Sequence, residues 1–182
     1  MSPRLHITGA SGSGTTTLGR ALAQRLGARH FDVDDFYWLP SDPPYSKARP
    51  TTDCAKMVSE ALATSDRWVI SGSMVLWGDR FIPKFDRVVF LYTPTSVRLE
   101  RLRRRETEEF GAEAVAPGGK MHDAVKAFLS WAEAYDAGTR EGRSLPVHRS
   151  WLAKLPCPVL ELDGTKPVND LVDAVVRSLS PA

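Results

Sequence analysis

The stretch GASGSGTTT at residues 9–17 constrains the fold of this chain more than any other feature. Before it, residues 4–8 read RLHIT and alternate apolar with polar side chains, which predicts a short strand. After it, TTLGRALAQRLG repeats leucine at helical spacing and stops at Gly27, which predicts a helix. A strand that turns through glycines directly into a helix is typical of an α/β fold, so we expect a parallel sheet covered by helices.

The remainder of the chain continues this alternation of strands and helices. Residues 87–92, RVVFLY, form an almost continuous apolar run, which is typical of a strand buried on both faces of a parallel sheet. The proline-rich stretch 39–50 and the glycine- and proline-containing stretch 110–119 interrupt the pattern. We predict further strands at 30–33, 67–70 and 158–162, and helices at 51–64, 95–106, 121–136 and 168–179.

Composition and charge exclude several classes of protein. Hydrophobic residues make up 42% and charged residues 25% of the 182, which is typical of one soluble globular domain. The net charge of +2 gives no reason to expect a nucleic-acid or membrane partner. Cys54 and Cys157 lie too far apart in sequence for a metal-type pair or a disulfide framework. Because the first residues already read as a strand rather than a signal peptide, we expect a cytoplasmic protein.

The glycine stretch matches the phosphate-binding pattern G-x-x-x-x-G-K-[ST] except at the lysine. Gly14 and Thr16 stand where the second glycine and the hydroxyl belong, but Thr15 replaces the lysine. Glycines let backbone N–H groups curl around phosphate oxygens, and the following helix adds its positive N-terminal end. The stretch is therefore a working loop without lysine, an impaired loop, or a turn without a ligand. The predicted phosphate-binding residues are Gly9, Ser11, Gly12, Ser13, Gly14, Thr15, Thr16 and Thr17.

Residues 9–35, GASGSGTTTLGRALAQRLGARHFDVDD, resemble the start of the nucleoside-monophosphate and shikimate kinase superfamily. Archaeal-type cytidylate kinases are similar at the lysine position, since their loops also read G-S-G-T-T. The resemblance extends more loosely to the fourth strand and the arginine-rich helix after it. It implies a three-layer P-loop NTPase fold, with a five-stranded parallel sheet in the order 2-3-1-4-5, helices on both faces and a small lid. It also implies a phosphotransferase that uses ATP and Mg²⁺.

The same resemblance divides the chain into functional regions. Residues 1–182 would form a single P-loop kinase-like domain. Its acceptor-binding region would span about 35–80 and its lid about 106–145. We expect ATP and a small-molecule acceptor as its partners, no nucleic acid and no membrane, and a monomer or homodimer.

Three aspartates follow the second predicted strand, at the carboxyl edge where open α/β sheets bind ligands. By resemblance to the D-x-D of shikimate kinases, Asp32 would help Thr16 to hold Mg²⁺, and Asp34 would accept a hydrogen bond from the attacking hydroxyl. The letters DDFY also resemble nucleoside and uridine kinases, which makes Asp35 an alternative to Asp34 for that role. All three could instead be turn or helix-cap carboxylates.

The arginine-rich segment VRLERLRRRE follows the buried strand. At about 100° per residue, Arg98, Arg101 and Arg105 fall on one helical face. By resemblance to adenylate-kinase-like proteins, Arg101 and Arg105 would contact the nucleotide and its phosphates. They are the first candidates for the charge that Thr15 does not supply, and Lys120 in the predicted lid is another.

The remaining candidates concern the acceptor. Ser71, Gly72 and Ser73 follow the third strand at the same sheet edge, and Arg49 lies in the predicted acceptor region. A nucleotide or nucleoside is the first expected acceptor, and shikimate or another small hydroxyl compound is the second. The SGS sequence replaces the G-G-G expected of shikimate kinases, which counts against shikimate. A non-catalytic ATP-binding regulator is a further alternative.

Overall fold

Strand β1 lies at the centre of a five-stranded parallel sheet in the computed structural model, which describes residues 3–179. The strands run in the order β2-β3-β1-β4-β5, and every adjacent pair is parallel. This confirms the predicted three-layer P-loop fold. The strands are β1 Arg4–Gly9, β2 Arg29–Asp32, β3 Trp68–Ser71, β4 Arg87–Tyr92 and β5 Val159–Asp163.

Helices cover both faces of this sheet. They are α1 Thr15–Leu26, α2 Val33–Tyr37, α3 Thr51–Leu62, α4 Thr95–Phe110, α5 Ala112–Val115, α6 His122–Glu133, α7 Leu145–Leu152 and α8 Val168–Leu179, with a 3₁₀ helix at Asp79–Lys84. Within residues 3–179, none of these helices is long and apolar enough to cross a membrane.

Two apolar cores hold the layers together, one on each face of the sheet. On one face, leucines of α1 and valines of α8 pack against alternate residues of the central strands, such as Val69 and Val89. On the other face, the neighbouring residues Ile70 and Val88 pack with α3 and Trp151 of α7. Because both faces are buried, β3 and β4 read as apolar runs, whereas β1 alternates apolar residues with the buried polar residues His6 and Thr8.

The structure corrects the predicted second strand at its end. The prediction extended the strand to Val33, but β2 ends at Asp32 and the letters VDDFY form the short helix α2. The reason is local: the Asp32 carboxylate accepts a hydrogen bond from the backbone N–H of Asp34 at 3.1 Å and caps the new helix. Helices α5 and α7 were not predicted.

Candidate active site

The glycine loop between β1 and α1 leaves the N-terminus of α1 open. Gly12 and Gly14 have φ of +79° and +98°, which favour glycine. A side chain at Gly12 would also lie 2.8 Å from the carbonyl oxygen of Arg98. Gly14 caps α1 without a side chain, and the first turn of α1 contains no acidic residue. The N–H groups of that turn can therefore bind an anion, with Thr15 at the first helical position.

Thr16 and Asp32 meet beside this helix end. The Thr16 hydroxyl donates a hydrogen bond to Oδ2 of Asp32 at 2.7 Å, and Asp32 is only 9% exposed. Two oxygen ligands fit Mg²⁺, which takes one or two protein ligands and fills its shell with phosphate oxygens and water. Among residues 3–179, no cluster of three or more His, Cys, Asp or Glu could hold a metal ion unaided. The pair therefore fits a metal ion whose remaining ligands are phosphate oxygens and water.

Asp34 and Asp35 face different neighbours in the first turn of α2. The pKa of Asp34 is raised above its usual value by burial and by the nearby Asp32 carboxylate, while the charges of Arg143 and Arg105 oppose the rise. Asp34 is nevertheless accessible to solvent, so it lies in a cleft rather than in the core. Burial lowers the pKa of His30, and Asp32 and Asp35 oppose that shift. The charges of Arg143 and Arg105 therefore act on Asp34, whereas the charge of Asp35 acts on His30.

Sequence reasoning missed Arg143, which lies in the segment between α6 and α7. We call residues 134–144 the arginine loop, because it also contains Arg140. Nη2 of Arg143 donates a hydrogen bond to Oγ of Ser11 in the glycine loop at 2.9 Å. Burial lowers the pKa of the Arg143 guanidinium, and the Asp34 carboxylate is the largest influence opposing that shift. Arg143 therefore contacts the glycine loop directly and acts on Asp34 through its charge, although no sequence pattern marks it.

Tyr135 and His148 anchor the arginine loop to the sheet. The Tyr135 carbonyl accepts the backbone N–H of Leu145 at 2.9 Å, which closes the loop at its base. The Tyr135 hydroxyl bonds Nδ1 of His148, whose Nε2 lies 3.2 Å from Oγ1 of Thr8 and 3.3 Å from Oγ of Ser73. Burial, followed by the charge of Arg143, lowers the pKa of His148 to about 3, and burial raises the pKa of Tyr135. The neutral imidazole of His148 therefore links the Tyr135 hydroxyl on one side to the hydroxyls of Thr8 and Ser73 on the other.

The predicted arginines of α4 have three different surroundings. Arg101 donates to the carbonyls of Ser13 at 3.4 Å and Gly164 at 3.0 Å, so it lies against the glycine loop. Arg105 is half-exposed and pairs with Glu106 at 2.6 Å. Arg98 is fully buried and ties α4 to the end of α6 at Ala132 and to Asp136 just after it. Contact of Arg101 with a nucleotide stays a prediction, and Lys120 is exposed in the predicted lid.

The residues predicted to bind the acceptor make hydrogen bonds or packing contacts within the protein. Ser71 is fully buried and its hydroxyl bonds Nε2 of His30 at 2.9 Å, so its side chain does not line the cleft. Nε of Arg49 donates to the Phe36 carbonyl at 2.9 Å and supports α2. Gly72, with φ of +111°, packs against α2. Ser73 shares His148 with Thr8. Contacts between these residues and an acceptor stay predictions.

Comparison with known proteins places the chain in a family. A family model described as AAA domain matches residues 6–116, more than half of the chain. The chain belongs to this family. It is 43% identical over 180 residues to "Uncharacterized protein YqaC" of Bacillus subtilis (strain 168), covering 99% of both chains. It is 34% identical over 112 residues to shikimate kinase 2 of Yersinia enterocolitica serotype O:8 / biotype 1B, covering 56% of this chain and 64% of that one.

Solved structures share the fold at low sequence identity. A gluconokinase from Sinorhizobium meliloti 1021 superposes with a TM-score of 0.60 at 19% identity, covering 98% of this chain and 91% of that one. A shikimate kinase from Acinetobacter baumannii in complex with shikimate gives a TM-score of 0.55 at 18% identity, covering 97% and 92%. Together with the family match, these similarities confirm the predicted P-loop fold.

Proposed function

We propose that this phosphotransferase moves the γ-phosphoryl group of ATP, together with Mg²⁺, to a small acceptor. The observation that carries the proposal is the 2.7 Å hydrogen bond between Thr16 and Asp32 beside the open end of α1. It joins the phosphate loop to the end of β2, which leads directly into the helix that contains Asp34. Phosphate-binding N–H groups, two metal-binding oxygens and a carboxylate in a cleft are what phosphoryl transfer requires.

Each residue has a distinct part in this proposal. The glycine loop and the first turn of α1 bind the phosphates of ATP through backbone N–H groups. Thr16 and Asp32 would hold Mg²⁺, which when bound would offset negative charge on the β- and γ-phosphates. Asp34 accepts a hydrogen bond from the acceptor and orients its oxygen toward the γ-phosphorus. Positioning of this kind supplies most of the catalysis in phosphoryl transfer.

A nucleotide or nucleoside is the acceptor that the cleft supports best. Four aromatic side chains form a row beside Asp34, with ring centroids of Trp77 and Tyr37 6.3 Å apart, Tyr37 and Trp38 4.9 Å, and Trp38 and Tyr45 6.2 Å. Tyr45 at the end of the row is 54% exposed. Aromatic side chains favour planar ligands that can stack on them. A shikimate-like acceptor is the alternative, supported by the similarity to shikimate kinase 2.

The experiment is acceptor-dependent turnover. Purified protein receives Mg²⁺-ATP with nucleosides, nucleoside monophosphates, shikimate or gluconate, and both ADP and the phosphorylated product are measured. We expect one planar acceptor to stimulate ADP formation and to appear as its phosphate ester. Stimulation by shikimate alone would establish the alternative. Tight ATP binding without stimulated turnover by any acceptor would contradict the proposal and favour a regulator.

Asp34 and Asp35 provide a matched pair of variants in one helical turn. We expect Asp34→Asn to lower kcat by about 100-fold or more, because the acceptor oxygen loses its orienting carboxylate. Asp35→Asn should stay within about threefold of the wild type, since the proposal gives Asp35 no contact with the acceptor. The measurement is kcat with the best acceptor at saturating ATP. The reverse result would assign the orienting role to Asp35.

A further inference from the structure

Because Thr15 replaces the lysine, the phosphate loop lacks the positive charge that a lysine carries. In the usual loop, the lysine lies near the β- and γ-phosphates and stabilises the charge of the transferred group. Thr15 has no charge, so the loop needs another cation if it works at an ordinary rate. Two guanidinium groups contact the loop in the part of the chain that the structure describes, Arg101 and Arg143.

These two arginines contact the loop in different ways. Both hydrogen bonds of Arg101 go to backbone carbonyls, those of Ser13 and Gly164, so Arg101 ties the glycine loop to the turn after β5. Arg143 instead contacts the Ser11 hydroxyl, a neutral group that a phosphate oxygen can replace or join as an acceptor. Arg143 is also the arginine that acts most on Asp34. Arg143 therefore combines a direct contact with the phosphate loop and an electrostatic influence on the carboxylate proposed to orient the acceptor.

We propose that Arg143 supplies from the arginine loop the charge that lysine supplies in other phosphate loops. The inference rests on the proposed function and names a further catalytic residue for it. During transfer, the bond from the γ-phosphorus to the bridging oxygen of ADP breaks and a bond to the acceptor oxygen forms. Where the acceptor is a hydroxyl, its proton passes to Asp34. Arg143 keeps its protons and donates hydrogen bonds to the oxygens of the moving group.

The surroundings of Arg143 favour an anion. Arg140 lies in the same loop, its guanidinium carbon 3.5 Å from the centre of the Trp131 ring, and burial followed by the charge of Arg143 lowers its pKa to about 10. Arg98 is neutralised by Asp136 at 3.0 Å. Among the described residues, Arg143 makes no ion pair of the kind that holds Arg98. A phosphate oxygen would supply the counter-charge, and a guanidinium fork binds phosphate at two oxygens.

The chain also fixes the position of Arg143. The Arg143 carbonyl accepts a hydrogen bond from Nε of Arg140 at 2.6 Å, so the two arginines stiffen one turn. Tyr135 closes the base of the loop and His148 connects it to Thr8, the residue before Gly9. The guanidinium and the phosphate loop thus share one anchor. A preorganised donor stabilises a transition state without the cost of reorganisation.

The test compares Arg143→Gln and Arg143→Lys with Arg104→Gln, a control on the exposed face of α4. We measure kcat, the KM for ATP and for acceptor, and the melting temperature. We expect Arg143→Gln to lower kcat by about 100-fold or more with little change in melting, and Arg143→Lys to restore part of the loss. Arg104→Gln should match the wild type. A kcat for Arg143→Gln within about threefold of the wild type would overturn the inference, as would an effect confined to the KM for acceptor.

A second readout separates this inference from the proposed function. Aluminium fluoride with Mg²⁺-ADP mimics the phosphoryl group in transfer and requires no acceptor. Calorimetry measures how much aluminium fluoride increases the affinity of the protein for Mg²⁺-ADP. We expect Arg143→Gln to lose most of this increase in affinity, while it binds Mg²⁺-ADP alone as the wild type does. An unchanged increase in affinity would overturn the role of Arg143. If Arg143→Gln loses the increase in affinity but the wild-type protein phosphorylates no acceptor, the result would support the role of Arg143 and contradict the proposed function.

Discussion

Helix α4 and the arginine loop both bring arginines to the phosphate loop, but they leave different amounts of charge available. On α4, Arg98 is enclosed by carbonyls and Asp136, and Arg105 pairs with Glu106. In the arginine loop, Arg143 contacts a neutral hydroxyl. The helix therefore uses its arginines mainly to hold elements together, and the loop offers one to a ligand. The position of an arginine on a helical face therefore does not reveal whether its guanidinium is paired within the protein or available to a ligand.

The largest expected effect is on stability and belongs to α4. Replacing Arg98 by Met should lower the free energy of unfolding by about 3–5 kcal/mol, because Asp136 and several carbonyls lose a buried partner. Chemical denaturation measures this. Arg104→Gln on the exposed face should change stability by about 0.5 kcal/mol or less. A stable Arg98→Met protein with impaired turnover would break the comparison, since Arg98 would then be a catalytic group.

The anchor of the arginine loop predicts a dependence of stability on pH. Burial, Arg143, His6 and Arg140 hold the pKa of His148 at about 3, below its usual 6.5. Between these values the unfolded chain binds a proton that the folded one does not, so the free energy of unfolding falls as pH falls, by up to about 1.4 kcal/mol per pH unit. Chemical denaturation at pH 7 and at pH 5 measures this change in the free energy of unfolding. His148→Gln should reduce the slope, and an unchanged slope would show that His148 is not its source.

Arg101 sharpens the comparison with a smaller effect. Arg101→Gln should weaken ATP binding by about fivefold to tenfold, because the glycine loop loses its tie to Gly164, a bond worth about 1 kcal/mol. Arg105→Gln is the matched control one turn further along α4, and it should bind Mg²⁺-ATP as the wild type does, because Arg105 pairs with the buried carboxylate of Glu106 rather than with the glycine loop. Calorimetric titration with Mg²⁺-ATP compares them. Equal losses would place Arg105 at the nucleotide as well.

Local sequence patterns indicate one half of the candidate site and carry no signal for the other half. The glycine loop, Thr16 and the Asp32–Asp34 pair lie next to the strands and helices that place them, and β4 and α8 have the predicted bounds. Arg143 lies 132 positions from Ser11, and nothing in the letters REGRS indicates that contact. Helix α7 was missed although Pro146 lies in its first turn, where proline is well tolerated. Without α7, His148 and its anchor could not be placed.

One substitution tests the central claim most directly, because it puts the missing lysine back. Thr15→Lys is measured for phosphoryl transfer in the wild-type protein and in Arg143→Gln. If Arg143 supplies the charge, Thr15→Lys should change the kcat of the wild type by less than about threefold. In the Arg143→Gln background, the same substitution should raise kcat by at least about tenfold. A large gain in the wild type would contradict the account, since it would mean that the natural loop lacks a cation.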